Sequence, residues 1–132
     1  MEQGPVNLSE ALSSFHALWS PHIIAQINDY DVRIAHVEGE HVWHAHDDTD
    51  EFFLVLGGEF NIAIRSDDGD ERVVRLQEGD AYVVPKGVSH RPFSPGASIL
   101  MFEPTGTLST GDSEEGGIPE GVDKTTGHKL NY

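Results

Sequence analysis

The sequence predicts an all-β domain, a sandwich or barrel, preceded by a short helix and followed by an acidic, glycine-rich tail. Two observations predict it. Seven short runs rich in Val, Ile, Leu and Phe occur at 22–27, 31–38, 51–56, 59–65, 71–76, 81–84 and 97–103, a β texture. Between them stand clusters of Gly, Pro, Asp and Ser, the residues that suit tight turns.

Taken in order, Asn7 followed by Glu10 has the spacing of a helix cap, and Leu8, Ala11, Leu12, Phe15, Leu18 and Trp19 recur at helical intervals. A helix over about 8–18 follows, stopped by Pro21 and packing its apolar face on the domain or on a partner subunit. Gly57-Gly58 is expected to join two strands as a hairpin, as is the Ser66 to Asp70 segment. Further turns are expected at 77–80 and 85–87. After Pro104 the periodicity ends, and six glycines and five acids make up much of the remainder, the composition of a chain with little to bury. The expected division is therefore a helical segment at 1–21, a barrel at 22–105 and a flexible tail at 106–132, dispensable for folding.

Composition narrows the function. With 23 acids against 8 Lys and Arg, the formal charge of −15 repels a phosphate backbone, so nucleic acid is not an expected partner. There is no cysteine, hence no disulfide, thiolate ligand or thiol nucleophile. No run of about 18 apolar residues offers a membrane span, and the first residues do not read as a leader. The cytoplasm is the expected location.

His44-Ala45-His46 puts two imidazoles on one face of an extended segment, because side chains alternate with period two. The Asp47 to Asp50 segment should then turn, letting Glu51 swing a carboxylate back toward them, with Asp50 as its rival. His90 follows a Pro-Lys-Gly turn and can close the group from another strand. Three imidazoles and a carboxylate suit one divalent ion per chain, Zn, Ni, Fe, Mn or Co, rather than a soft metal or calcium. Four protein donors leave coordination positions open in a five- or six-coordinate ion, as a reacting or ligand-binding metal needs. A purely structural ion also fits.

The arrangement resembles the cupin superfamily. The family's first motif is Gly-x5-His-x-His-x3 or x4-Glu-x6-Gly, matched by Gly39, His44, His46, Glu51 and Gly58. Its second, Gly-x5-Pro-x-Gly-x2-His-x3-Asn, is matched by Gly79, Pro85, Gly87 and His90. Two departures stand out: Gly39 is one residue nearer His44 than the pattern, and Ser94 replaces the asparagine. The resemblance implies a double-stranded β-helix, or jelly-roll barrel, with the ion on His44, His46, Glu51 and His90 at one mouth, and commonly a homodimer. The run from His46 to Phe53 is also similar to small bacterial cupins described as mannose-6-phosphate-isomerase-like. That likeness carries no activity, because one fold hosts unrelated chemistries.

If Glu51 points inward, so does Phe53, which then borders the pocket; Tyr82, Phe93 and Met101 are further candidate walls. His36 and His41 are candidates to line the pocket or support the ligands. The expected function is a metal-dependent enzyme of isomerase or dioxygenase type acting on a small oxygenated metabolite such as a sugar derivative, with Glu51 as a candidate base. The alternative is a module that binds a small molecule or metal without turnover.

Overall fold

The computed structural model describes residues 3–109, 112–113 and 127–130. One short helix, α1 (Leu8–Ser13), precedes the strands β1 (His22–Ile27), β2 (Tyr30–Glu40), β3 (His44–Ala45), β4 (Glu51–Arg65), β5 (Glu71–Gln77), β6 (Ala81–Val84), β7 (Ser89–Pro104), β8 (Asp112–Ser113) and β9 (His128–Lys129). Among the described residues all strands join one sheet, with the path β5-β4-β7-β2-β1-β9 and with β3, β6 and β8 off it.

Two long strands form the frame. Strands β4 and β7 run antiparallel from Phe52↔Phe102 to Arg65↔Ser89. The first part of β4 takes β6 as its other neighbour, and the second part takes β5. A strand that changes neighbours midway turns from one layer into the other, and the sheet wraps into a jelly-roll barrel. Irregular register at Val55/Gly57 and Glu59/Asn61 marks the bend.

The expected hairpin at Gly57-Gly58 is therefore absent: both residues lie inside β4. The glycines serve the bend. Gly58 has a φ of +81°, and a Cβ there would run into the Gly96 carbonyl of β7. Ser66 to Asp70 does form the β4–β5 hairpin turn, with Ser66 N donating to the Asp70 carbonyl at 2.8 Å. Ser94, where the family has asparagine, donates from Oγ to the Glu59 carbonyl at 2.6 Å and accepts from Gly96 N at 2.9 Å. The hydroxyl thus ties β7 to the bend of β4.

Period-two alternation divides the apolar residues between two faces. Ala35, Val37, Phe53, Val55, Phe60, Ile62, Ile99 and Met101 fill the barrel. Ile34 and Leu100 face outward, where Ala11 and Phe15 cover them. The helix is shorter than the 8–18 expected. Asn7 caps it, accepting from Glu10 N at 3.0 Å, but it ends at Ser13. Ser13 Oγ and Ser14 Oγ donate to the Ser9 and Ala11 carbonyls at 2.9 and 2.6 Å, the local bonding by which serine competes with helix. Beyond it the apolar spacing continues in non-helical chain, with Leu18 bridging to His36 and Trp19 turned into the core.

Some of the described residues after Thr105 pair with the barrel. The Thr107 carbonyl accepts from Arg33 Nη1 at 2.8 Å. Strand β8 pairs with β3, and β9 pairs in parallel with β1. The rest of the expected tail, 110–111, 114–126 and 131–132, lies outside the described residues.

Candidate metal centre

The sheet brings the four candidate donors to one point. Strand β3 pairs with β7 through His44↔His90, so two imidazoles from distant sequence stand side by side. His46 follows as β3 ends, and the Gly87 N–H donates to its carbonyl at 2.8 Å, tying the segment to the turn before His90. Glu51 opens β4 facing inward. One donor atom from each of His44, His46, Glu51 and His90 lies within 4.8 Å of the others, and all four residues are buried. Asp50, the rival, is exposed and accepts from Lys86 N at 2.9 Å, so its carboxylate belongs to the turn.

The donor set fits a cation. A carbonyl oxygen only accepts, so the Val42 carbonyl 2.8 Å from His44 Nδ1 and the Val88 carbonyl 2.9 Å from His90 Nδ1 require an N–H on each Nδ1. In a neutral ring that leaves Nε2 as the lone-pair atom. His90 Nε2 then stands 2.9 Å from Glu51 Oε1, and His46 Nε2 stands 3.0 Å from Oε2. For neutral His90, a lone pair facing a carboxylate oxygen is repulsive unless a proton or a metal ion lies between them.

Burial shapes the electrostatics. It pushes the His44 imidazole down to about 3, helped by the charge of His90 and opposed by Glu51. It pushes His41 down to about 4 against the raising effect of Glu51. For Glu51 burial acts upward, but hydrogen bonds from Glu103, His46 and His90 outweigh it and hold the carboxyl well below its usual range. Burial and the Glu51 charge push Glu103 well above that range, although Arg33 pulls it down. Glu103 therefore carries the proton between the two carboxyls.

These shifts give a pH dependence for the metal-free protein. Below pH 6.5 an unfolded chain protonates both histidines, while the folded chain holds them neutral until about pH 4 and about pH 3. The unfolded state then binds more protons, and folding stability falls with pH from 6.5 downward by on the order of 1 kcal/mol per pH unit for each ring. Denaturant titrations at pH 7 and 5 should show this; equal stability at both would contradict it.

Sequence alone missed a buried ionic group behind the centre. Arg33 donates to Asp31 Oδ2 at 3.0 Å and to Glu103 Oε2 at 2.8 Å, with Arg33 and Asp31 0% exposed and Glu103 2%. Thr105 and Gln26 each donate to Asp31 Oδ1 at 3.0 Å. Their hydrogen bonds and that of Arg33 outweigh burial and lower the Asp31 pKa. Alternation held the signal: Asp31 and Arg33 share a face with Ala35 and Val37, and Glu103 shares one with Ile99 and Met101.

Beside the donors is a small hollow of about 30 Å³, walled by Trp19, Val37, Phe53, Phe60, Ile99 and Met101 and by the polar residues His41, His44, Glu51, Glu103 and Ser109. Phe53 and Met101 are thus on the wall. His36, Tyr82 and Phe93 are not. His36 lies between the inward residues Ala35 and Val37, so it points outward, where its Nε2 meets the Leu12 carbonyl at 2.8 Å. Tyr82 is half-buried against the core from the short strand β6, and the half-buried Phe93 has the Arg91 guanidinium 5.9 Å from its ring centre.

Known proteins resemble this chain. The cupin domain model matches residues 31–103. An uncharacterized protein of Bacillus subtilis (strain 168), YdbB, is 37% identical over 89 residues, 67% of this chain and 73% of that one. The crystal structure of a cupin-2 domain containing protein from Shewanella frigidimarina superposes with a TM-score of 0.70 at 43% identity, covering 75% of this chain and 93% of that one. Hydroquinone 1,2-dioxygenase from Sphingomonas sp. TTNP3, in complex with 4-nitrophenol, superposes at a TM-score of 0.67 and 24% identity, over 76% of this chain and 32% of that one, a likeness of fold alone. With the matched region spanning both histidine motifs and the strands that carry them, the chain belongs to the cupin family.

Proposed function

We propose that the protein is a metal-dependent enzyme acting on a small oxygenated molecule, with one divalent ion held by His44, His46, Glu51 and His90. The convergence of four buried donors beside a cavity is the observation that carries this reading. When bound, the ion supplies Lewis acidity toward a carbonyl or hydroxyl oxygen or, as iron, the means to activate oxygen.

The chain's own residues would do the rest. The Val42 and Val88 carbonyls fix the ring orientation of His44 and His90. Glu103, held by Arg33, keeps a proton beside Glu51. Glu51 has both oxygens between histidines, so its place is that of a ligand, and service as a base would need one contact released. The apolar wall keeps bulk water from the inner side of the centre.

Turnover of a panel of small enolisable carbonyl compounds, sugars and phenols by metal-loaded protein, with a metal-free control, tests the reading. Conversion only in the loaded arm supports an enzyme. Saturable binding with no conversion would favour a module that binds without turnover.

The protein is also proposed to pair with a second copy, though not through its N-terminal segment, whose Ala11 in α1 and Phe15 after it are buried on its own sheet. Several exposed apolar residues gather elsewhere, Ile27, Tyr30, Val83 and Phe102, the last stacked at 5.0 Å on the half-buried Phe52. Lys86, Asp48 and Asp50 border the same hollow, so the patch holds charges of both signs and can complement itself across a two-fold axis. Light scattering should give a dimer that Phe102→Glu dissociates. A monomer at high concentration would remove the proposal. No helix among the described residues is long and apolar enough to cross a membrane.

A further inference from the structure

The hollow inside the barrel is too small to be the way in. At about 30 Å³, among Trp19, Phe53, Phe60 and Met101, it has room for little more than water. Whatever reaches the four donors therefore comes from the outer side. There an open groove of about 440 Å³ is lined by Ala45, His46, Asp47 and Asp48 and by the 104–108 segment. Its two aspartates favour the approach of a cation.

The segment that borders this groove is anchored at its start. Thr105 N donates to the Asp29 carbonyl at 3.0 Å, Thr105 Oγ1 to Asp31 Oδ1 at 3.0 Å, and Arg33 Nη1 to the Thr107 carbonyl at 2.8 Å. Ser109 then lines the hollow together with His44 and Glu51. Strand β8 lies on β3, in the register Ala45↔Asp112 and His44↔Ser113. Because β3 has β7 on its other edge, β8 closes the edge that would be left open. Farther along, the chain is fixed again, with His128 N donating to the Pro21 carbonyl at 3.0 Å and Leu130 packed in the outer apolar cluster. Between these two anchors β8 is paired with β3 through two residues, whereas β4 and β7 are paired from Phe52↔Phe102 to Arg65↔Ser89. A ladder that short, with few contacts around it, opens long before the frame does.

We infer that Ser109 and β8 form a latch over the metal centre, and that ions and small ligands enter and leave when β8 lifts from β3. Closed, the latch covers the strand that carries His44. Neither Ser109 nor β8 supplies a donor to the cluster, so the latch sets the rate of exchange and not the affinity. The anchors at Thr107 and β9 keep it near its place when it opens, which lets it close again without the rest of the barrel moving. The inference deepens the proposed function by assigning a control of access to that site, and it rests on that reading of the metal centre.

The test uses the full chain and Co(II), whose visible absorption follows both uptake and release to excess EDTA without need of activity. The chain has no cysteine, so Ala45→Cys/Asp112→Cys carries a single pair of thiols. Opposed residues of an antiparallel pair have Cα atoms about 4.5–5.5 Å apart, inside the range of about 4.4–6.8 Å that a disulfide spans. The oxidised protein should take up and release cobalt at least about tenfold more slowly than wild type, because the latch can no longer lift, and reduction should restore the rate. Asp112→Pro/Ser113→Pro removes the backbone donors of β8 and should speed both steps at least about tenfold, with about one cobalt per chain and unchanged affinity. Wild-type rates in either variant, a disulfide that does not form, or lowered cobalt affinity in the proline variant would each overturn the inference. If wild-type protein binds cobalt and the variants exchange it at the wild-type rate, the latch falls and the metal centre stands. If wild-type protein takes up no cobalt, both fall.

Discussion

An Arg33→Met protein should lose on the order of 3–5 kcal/mol of folding stability, the usual penalty when one member of a buried ionic group is removed and its partners are left uncompensated. Arg33 is fully buried, and its guanidinium serves Asp31, Glu103 and the Thr107 carbonyl together. Small domains hold only about 5–15 kcal/mol in total, so the variant should be at the edge of folding. Replacing Asp31→Leu, Arg33→Met and Glu103→Leu together should cost less than Arg33→Met alone, since no charge is then stranded. Urea unfolding of the two variants checks this, and an Arg33→Met midpoint equal to that of the wild type would contradict it.

Replacing His44, His46 or His90 by alanine should lower divalent-metal affinity by at least about 100-fold. Loss of a group that merely supports a ligand already costs about 10–100-fold, and loss of the ligand should exceed it. Asp48→Ala, in the exposed turn, and His128→Ala, in β9 beside β1, should leave affinity unchanged. The ligand variants should still fold, because Phe60, Ile62, Val55 and Ile99 form a core that does not depend on the centre. Affinity in the wild type should also fall as the medium is acidified, because the ion needs imidazole lone pairs that protons compete for, with His44, neutral until about pH 3, the last to resist. Titration calorimetry reads all of these, and His90→Ala retaining wild-type affinity would remove that residue from the centre.

Much of this was legible in the sequence because it depends on local rules. Alternation alone puts His44 and His46 on one face, and the two glycine- and histidine-bearing motifs supplied Glu51 and His90. What escaped depends on partners far away in the chain. Gly57-Gly58 suits either a hairpin or a bent strand, and only the close approach of Gly96 decides between them. The Leu18 and Trp19 end of the helical pattern serves packing on β2 and inside the barrel, so apolar spacing outlasted the helix. Asp31, Arg33 and Glu103 read as ordinary polar residues of strands until the pairing Asp31↔Glu103 sets them side by side. Glycines and acids made the last segment look free, although β8 and β9 find strand edges to pair with.

The central claim is that His44, His46, Glu51 and His90 hold one ion. Anomalous X-ray diffraction from crystals of protein loaded with a single divalent transition metal tests it most directly. The expected result is one strong peak per chain, about 2.0–2.2 Å from a nitrogen of each histidine and from a Glu51 oxygen. A peak seated instead among Asp47, Asp48 and Asp50, or no peak between the three imidazoles at full metal loading, would contradict it.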